Sequence, residues 1–329
     1  MKLMIFDTET ADKPENTDKS IMAEIGYMFY NSDKNFFFFE SEYVKPEVPM
    51  APGASAVNNI TNVDVGIEPD INGNLKEVPS ASESEVFRRF MGGIRKYEEH
   101  EDFYVTGYNI DGFDLEVVNR AAGENLFDKA KRIDLYRVAK YLYFTDEGRS
   151  IIGKGNFDVE KDLPESISLQ YLKHFYKLYH NKEKLKQSGI INKEYLELFN
   201  NPHGAFSDVV DTFVLFKYFE EVIGLSPEKM KEISNNPILV DYFHYGFQRG
   251  ERIDATGSIK LLNTLTRTDD RDLAESIIRE LLVKRNESPD AVYKAGGELF
   301  EDIIKKTLKA GYNGTVNKKR KNPYGPKLF

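Results

Sequence analysis

The apolar positions fall first into short blocks with strand character. Lys2–Phe6 carries four apolar residues in five, Ile21–Tyr30 (IMAEIGYMFY) is nearly all apolar or aromatic, and Phe36–Val44 (FFFFESEYV) opens on four phenylalanines. Their length and aromatic content favour strands over helices, and the FFFF run reads as a strand buried on both faces. Lys45 to about Ser80 is rich in Pro, Gly and Asn, and VPMAPGASAVNNITNVDV is too irregular for a regular element. Ser82-x-x-Glu85 is spaced as a capping box opening a helix through about Tyr97. Phe103–Tyr108 predicts another strand, DGFDLEVVNRAA a turn entering a helix, and Lys131–Tyr143 a short strand or a helix. Thr145–Ser166 reads as loop, and SLQYLKHFYKLY as helix. From Asp208 to Val222 apolar residues recur at helical spacing. Strands followed by strand–helix alternation predict an α/β domain, a mixed sheet with helices on both sides.

Leu225-Ser-Pro marks a boundary. Beyond it LLNTLTR, DRDLAESIIRELLVKRN and GGELFEDIIKKTLKAG read as helical, and NKKRKNPYGPKLF as a basic, mobile tail. The expected division is residues 1–224, a mainly helical module over 225–314, and a tail over 315–329.

Composition narrows the function classes. With 329 residues, 40% of them hydrophobic, the chain can bury a substantial core. No apolar run approaches the roughly 20 residues that span a bilayer, and Asp7 interrupts the N-terminus before a secretory signal could form. The absence of cysteine excludes disulfides, thiolate metal sites and thiol catalysis, and it fits a cytoplasmic protein. The net charge of −9 is uneven: residues 225–329 carry +4 and the preceding 224 carry −13. An acidic domain can still take a polyanion where its carboxylates hold divalent cations, because bound ions invert the local field.

Three stretches carry the candidate chemistry. In FDTET, Asp7 and Glu9 are two apart on a strand and project from one face, where they repel unless a cation lies between them. In GYNIDGFDLEVVNR, a strand delivers Asn109 to a turn and Asp114 to a helix start. In NPHGAFSDVVDTFVLF, His203 lies in a Pro/Gly turn five residues before Asp208. Each stretch alone has an ordinary structural reading: acids at a strand end, an acid favoured by a helix dipole, a turn histidine. His100, His174, His180 and His244 keep that structural reading. Together, the four acids suit a hard divalent cation and His203 could accept a proton.

FDTET, N-I-D-G-F-D and H-G-A-F-S-D, in this order, resemble the DEDD exonuclease superfamily of RNase H-like fold. Gly204 stands where the tyrosine branch has its Tyr, so the likeness is to the histidine branch. YVKPEVPMAPGASAVNNIT, VTGYNIDGFDLEVVNR and LPESISLQYL are further similar to blocks of the bacterial exonuclease I family. Asn59 stands where that family has Gly in its substrate loop. The resemblance covers about residues 1–222 and does not extend to the C-terminal part, which is only faintly like the short module trailing other members. It implies release of nucleoside 5′-monophosphates from the 3′ end of single-stranded DNA. Two Mg²⁺ or Mn²⁺ ions, roughly 3.5–4 Å apart, would be held by Asp7, Glu9, Asp114 and Asp208, with His203 as general base. Thr8, Thr10 and Asn109 are expected near the terminal nucleotide. RNA trimming is the alternative within the class, and a non-catalytic nucleic-acid or replisome adaptor the alternative outside it. Gly-Pro-Lys-Leu-Phe at the end of the tail resembles the Leu-Phe end of clamp-binding peptides but lacks their glutamine; a sliding clamp or single-strand-binding protein is carried as a further partner through the C-terminal part.

Overall fold

The computed structural model describes residues 1–153, 156–188, 204–268, 270–287, 294–295 and 298–299. These divide into two compact units, Met1–Lys140 with Pro164–Asn236, and Tyr141–Leu163 with the residues from Pro237 onward. The first unit continues past the expected boundary at 224 because the helix Pro227–Asn235 packs on the last strand of its sheet.

That sheet has five strands: β1 (Lys2–Thr10), β2 (Met22–Asn31), β3 (Phe36–Tyr43), β4 (Phe103–Gly107) and β5 (Arg132–Asp134). Their order is β3-β2-β1-β4-β5, with β2 antiparallel to its neighbours and β1, β4 and β5 parallel. This is the mixed α/β sheet that the sequence predicts. Register fixes the two faces. Met4, Phe6 and Thr8 lie opposite Phe29, Tyr27 and Ile25 on one face. That face is covered by α2 (Glu85–Tyr97) and α3 (Asp114–Ala122), where Phe6 stacks on Phe127 at 5.3 Å and meets Phe90 at 5.3 Å. Leu3, Ile5, Asp7 and Glu9 lie opposite Tyr30, Met28, Gly26 and Glu24 on the other face. That face receives α9 (Ala205–Tyr218), whose near-complete burial agrees with its apolar circumference. α9 is flanked in turn by α7 (Leu169–Phe175) and α8 (Tyr179–Gln187). Buried Asp211 of α9 joins them, 2.7 Å from Lys173 and 2.9 Å from Lys182.

Several local expectations are corrected. β3 is an edge strand, so Phe37 and Phe39 pack against Phe213 and Phe206 of α9 while Phe36 and Phe38 are exposed. The irregular stretch after Lys45 contains a short helix, α1 (Pro52–Asn58), begun by Pro52 and ended by Asn59 in the left-handed region at φ 59°. Asparagine tolerates that conformation, so Asn59 supplies the backbone that a Gly would otherwise provide. Ser84, rather than Ser82, caps α2 by accepting from the Phe87 N–H at 2.9 Å. Residues 131–143 contain both predicted alternatives in succession, β5 and then α4 (Leu135–Phe144). The expected loop 145–166 holds α5 (Asp146–Ile152) and α6 (Val159–Asp162), because Thr145 and Asp158 each cap a first turn. The helix on β5, Pro227–Asn235, is α10.

In the second unit, α11 (Ser258–Leu265) packs on α12 (Arg271–Glu287), two helices over the stretches LLNTLTR and DRDLAESIIRELLVKRN. Glu298–Leu299 pairs as an antiparallel strand with Lys294–Ala295, so these two residues of GGELFEDIIKKTLKAG are extended rather than helical. The remainder of that segment and the expected tail lie outside the described residues. Among the described residues, no helix is long and apolar enough to cross a membrane.

Two details shape the C-terminal end of β1. Its pairing with β4 ends at Ile5↔Thr106, which leaves one edge open from Phe6 onward. Its register with β2 shifts between Glu9 and Thr10, a bulge directly after the second acid. Opposite Asp7, a Cβ on Gly26 would stand 2.7 Å from the Ala205 carbonyl carbon and 2.8 Å from the Phe206 nitrogen. Gly26→Ala should therefore push α9 off the sheet and cost about 1–3 kcal/mol, read as a lower urea midpoint for the first unit. An unmoved midpoint would mean that the contact is looser than its geometry.

Candidate active site

Asp7 and Glu9 share the α9 face of β1, both partly open to solvent, near the end of the strand. Asp208 stands in the first turn of α9, whose N-terminus rests on Gly26, the residue paired with Asp7. Asp114 opens α3 and approaches β1 along the edge that β4 leaves open. There its Oδ1 accepts from the Thr8 backbone N–H at 2.9 Å and from the Thr8 hydroxyl at 2.6 Å. Acids from three distant segments thus gather at one strand end, two of them at helix N-termini that favour negative charge.

A fifth carboxylate belongs to the group. Glu24 faces Glu9 directly across the β1–β2 ladder and is 4% exposed. It accepts from the Ala205 N–H at 3.2 Å and from the Ser41 hydroxyl at 2.7 Å, so it caps α9 from the sheet. Like charges directly opposite each other destabilise a ladder, which makes this pairing costly unless a proton or cation intervenes. The one sequence signal for it is a lone acid inside the apolar run IMAEIGYMFY.

The electrostatics follow from crowding. Burial pushes the Asp7 carboxyl well above the usual range, and Asp114, Asp208, Glu9 and Glu24 push it further. Glu9 is raised to about 9 by burial and then by Glu24, Asp208 and Asp114, against the Asn58 amide. Burial raises Glu24 against the hydrogen bonds from Ser41 and Ala205. Asp114 rises to about 7 through burial, held back by its two bonds from Thr8.

The surrounding residues aim these groups. Gln170, within the LPESISLQYL block, donates its amide to Asp208 at 2.9 Å. Buried Asn58 donates to the Thr10 carbonyl at 3.1 Å and ties α1 to the strand end. Asn109 adopts the left-handed region at φ 63° and is exposed, and its N–H donates to Asp134 at 2.9 Å. Asp134 also accepts from the Asp111 and Tyr136 N–H groups, which fixes the turn leading into Asp114. Thr8 and Thr10 are both buried, with the Thr8 hydroxyl already engaged by Asp114. His203 lies outside the described residues; Gly204, the next residue, caps α9. His244 is buried against Asp270 at 3.2 Å, in line with its structural reading.

The donor set, all carboxylate oxygen, fits a hard divalent cation. Among the described residues, no three His, Cys, Asp or Glu side chains stand as a ready-made ion cage. Three of the acids are instead turned toward protein donors: Asp114 to Thr8, Asp208 to Gln170, and Glu24 to Ser41 and Ala205.

No protein-family model matches the chain, and no curated protein matches it. Among solved structures it is similar to exonuclease X in complex with 5′-overhanging duplex DNA, at 18% identity and a TM-score of 0.40, over 71% of this chain and 99% of that one. It is also similar to E. coli exonuclease I with a dT13 oligonucleotide, at 20% identity and a TM-score of 0.42, over 67% of this chain and 41% of that one. A zinc-bound E. coli exonuclease I complex with single-stranded DNA aligns at 19% identity and a TM-score of 0.43, over 70% and 42% of the respective chains. These likenesses are distant, and the chain spans less than half of exonuclease I. The functional reading rests on the site itself.

Linkage gives the pH dependence its sign. A carboxyl whose folded pKa is raised keeps its proton when the unfolded chain has lost it, so ionisation destabilises the fold. With Glu9 at about 9 and Asp114 at about 7, chelator-treated protein should lose thermal stability as pH rises from about 4.5 to 9. Millimolar Mg²⁺ should restore it at the alkaline end. Asp7→Asn should melt higher than the parent in EDTA at pH 8 and lose the Mg²⁺ response. A pH-independent melting temperature would contradict the carboxyl cluster.

Proposed function

We propose that this chain is a divalent-metal-dependent nuclease acting on DNA, and specifically a 3′→5′ exonuclease that releases nucleoside 5′-monophosphates from single strands. The observation that carries this reading is the Asp114 carboxylate bonded to the N–H and hydroxyl of Thr8, the residue between Asp7 and Glu9. An acid 106 positions away in sequence reaches the strand between the two acids there, and α9 brings Asp208 to the face that Asp7 and Glu9 share.

Asp7, Glu9, Asp114 and Asp208 are the residues that would hold two Mg²⁺ or Mn²⁺ ions. Such ions, when bound, activate water, orient the phosphate and neutralise charge on the leaving oxygen. The protein's part is positioning. Thr8 steers Asp114, Gln170 steers Asp208, and Glu24 seats the helix that carries Asp208. His203, five residues before Asp208 in sequence, is assigned the removal of a proton from the attacking water. Thr8, Thr10 and Asn109 are assigned to the terminal nucleotide. The elevated carboxyl pKa values support a cation requirement, because several crowded acids ionise together at neutral pH only when positive charge joins them.

The test is product analysis on single-stranded DNA, duplex DNA and RNA, each labelled at either end, with and without Mg²⁺. Mononucleotides released from the 3′ end of single-stranded DNA only with metal are expected. Asp7→Ala should reduce that release to background. His203→Ala should lower kcat by about 10²–10⁴-fold with little change in the Mg²⁺ concentration for half-maximal rate. Equal loss in both would make His203 a ligand or a structural residue. Metal-independent release, or cleavage from the 5′ end, would overturn the reading.

A further inference from the structure

Glu24 carries a charge that its place in the fold does not require. It is buried within β2, opposite Glu9 on one side and Tyr43 on the other. Its Oε1 accepts from the Ser41 hydroxyl at 2.7 Å and its Oε2 from the Ala205 N–H at 3.2 Å. Gly204 has no side chain to cap α9, so the sheet supplies an acceptor that the helix start needs. A neutral oxygen would serve that purpose, as serine, threonine and asparagine caps do. A donor on each of its two oxygens is the bonding pattern of an ionised carboxylate, which accepts only. Among the described residues no lysine or arginine neutralises it.

Residues directly opposite in an antiparallel ladder have their β carbons about 5 Å apart. At that distance, in a buried setting, two like charges oppose folding. After burial itself, Glu24 raises the Glu9 carboxyl more than any other group does. A divalent cation at Glu9 reverses the sign of the arrangement, because it is attracted by Glu24 without touching it. Both Glu24 oxygens are engaged by Ser41 and Ala205, which keeps this acid out of the ligand set. The bond to Ala205 also fixes the helix start three residues before Asp208.

We infer that Glu24 is a positioning residue of the cation site with two separable functions. Its charge strengthens cation binding at Glu9 from outside the ligand set, and its bond to Ala205 sets where Asp208 stands over the strand. The inference rests on the metal-dependent nuclease reading and deepens it, by dividing the work of one further acid between affinity and geometry.

The experiment uses the full chain and two readouts at pH 8: calorimetric Mg²⁺ binding without nucleic acid, and mononucleotide release from a dT20 oligomer across a Mg²⁺ series. Glu24→Gln removes the charge and keeps an oxygen for the Ala205 N–H. It should raise the Mg²⁺ Kd by about tenfold, and the lost rate should return as Mg²⁺ is raised. Its melting temperature in EDTA, expected at or above that of the parent, is the folding control. Glu24→Ala removes charge and bond together. It should weaken Mg²⁺ to a similar degree and also lower kcat at saturating Mg²⁺ by about tenfold or more, which added metal does not restore. Equal Mg²⁺ affinity in parent, Glu24→Gln and Glu24→Ala, or tighter binding in Glu24→Gln, would overturn the charge function. Equal kcat for Glu24→Ala and Glu24→Gln at saturating Mg²⁺ would overturn the seating function. A parent chain that degrades no nucleic acid would remove the nuclease reading, while the calorimetry still decides the charge function of Glu24.

Discussion

The close seating of α9 on β2 is the contact on which the first unit's cluster of acids depends. Gly26 has no side chain to hold the helix away, and the neighbouring acid on the same face, Glu24, reaches up to the Ala205 N–H. Because Gly26 pairs with Asp7 in the ladder, the position of the helix and the position of the strand-end acid are one geometric fact. Asp208, three residues into the helix, inherits its place from that contact. The flanking side of α9 is locked by Asp211 between Lys173 and Lys182, so the helix is clamped from both directions.

The arrangement concentrates negative charge where folding alone would disperse it. Five carboxyls share one end of β1, and the hydrogen bonds from Thr8, Ser41 and Ala205 relieve only part of their repulsion. Such strain, kept in place by a well-packed scaffold, is typical of functional sites. The core beneath is aromatic and continuous, with Phe6, Phe90 and Phe127 in mutual contact and Tyr27 against Phe90, and it supplies the rigidity that holds the acids near one another.

Much of this is legible in the sequence because each motif sits where two periodicities meet. The alternation of β1 puts Asp7 and Glu9 on one face, and helix starts announce Asp114 and Asp208. Glu24 is not legible as a member of the group, since its role depends on the register between β1 and β2, which no local pattern specifies. Gln170 and Asn58 are hidden for the same reason: each acts on a residue far away in sequence or through the backbone. The exposure of Phe36 and Phe38 escapes the sequence because composition does not reveal which strand stands at the edge of a sheet. The helices within 145–166 escape it because caps at Thr145 and Asp158 outweigh the glycines and charges around them.

The bulge between Glu9 and Thr10 has a bearing on folding fidelity. In a regular antiparallel ladder a strand can slide by one residue, and every side chain then changes face. For β1 that slide would turn Thr8 and Thr10 toward α9 and send the two acids into the aromatic core. An irregularity at one fixed point on the strand breaks the equivalence of neighbouring alignments and acts as a stop. The chain therefore carries, one residue beyond its acid pair, a mark that distinguishes the alignment gathering the acids from its neighbours.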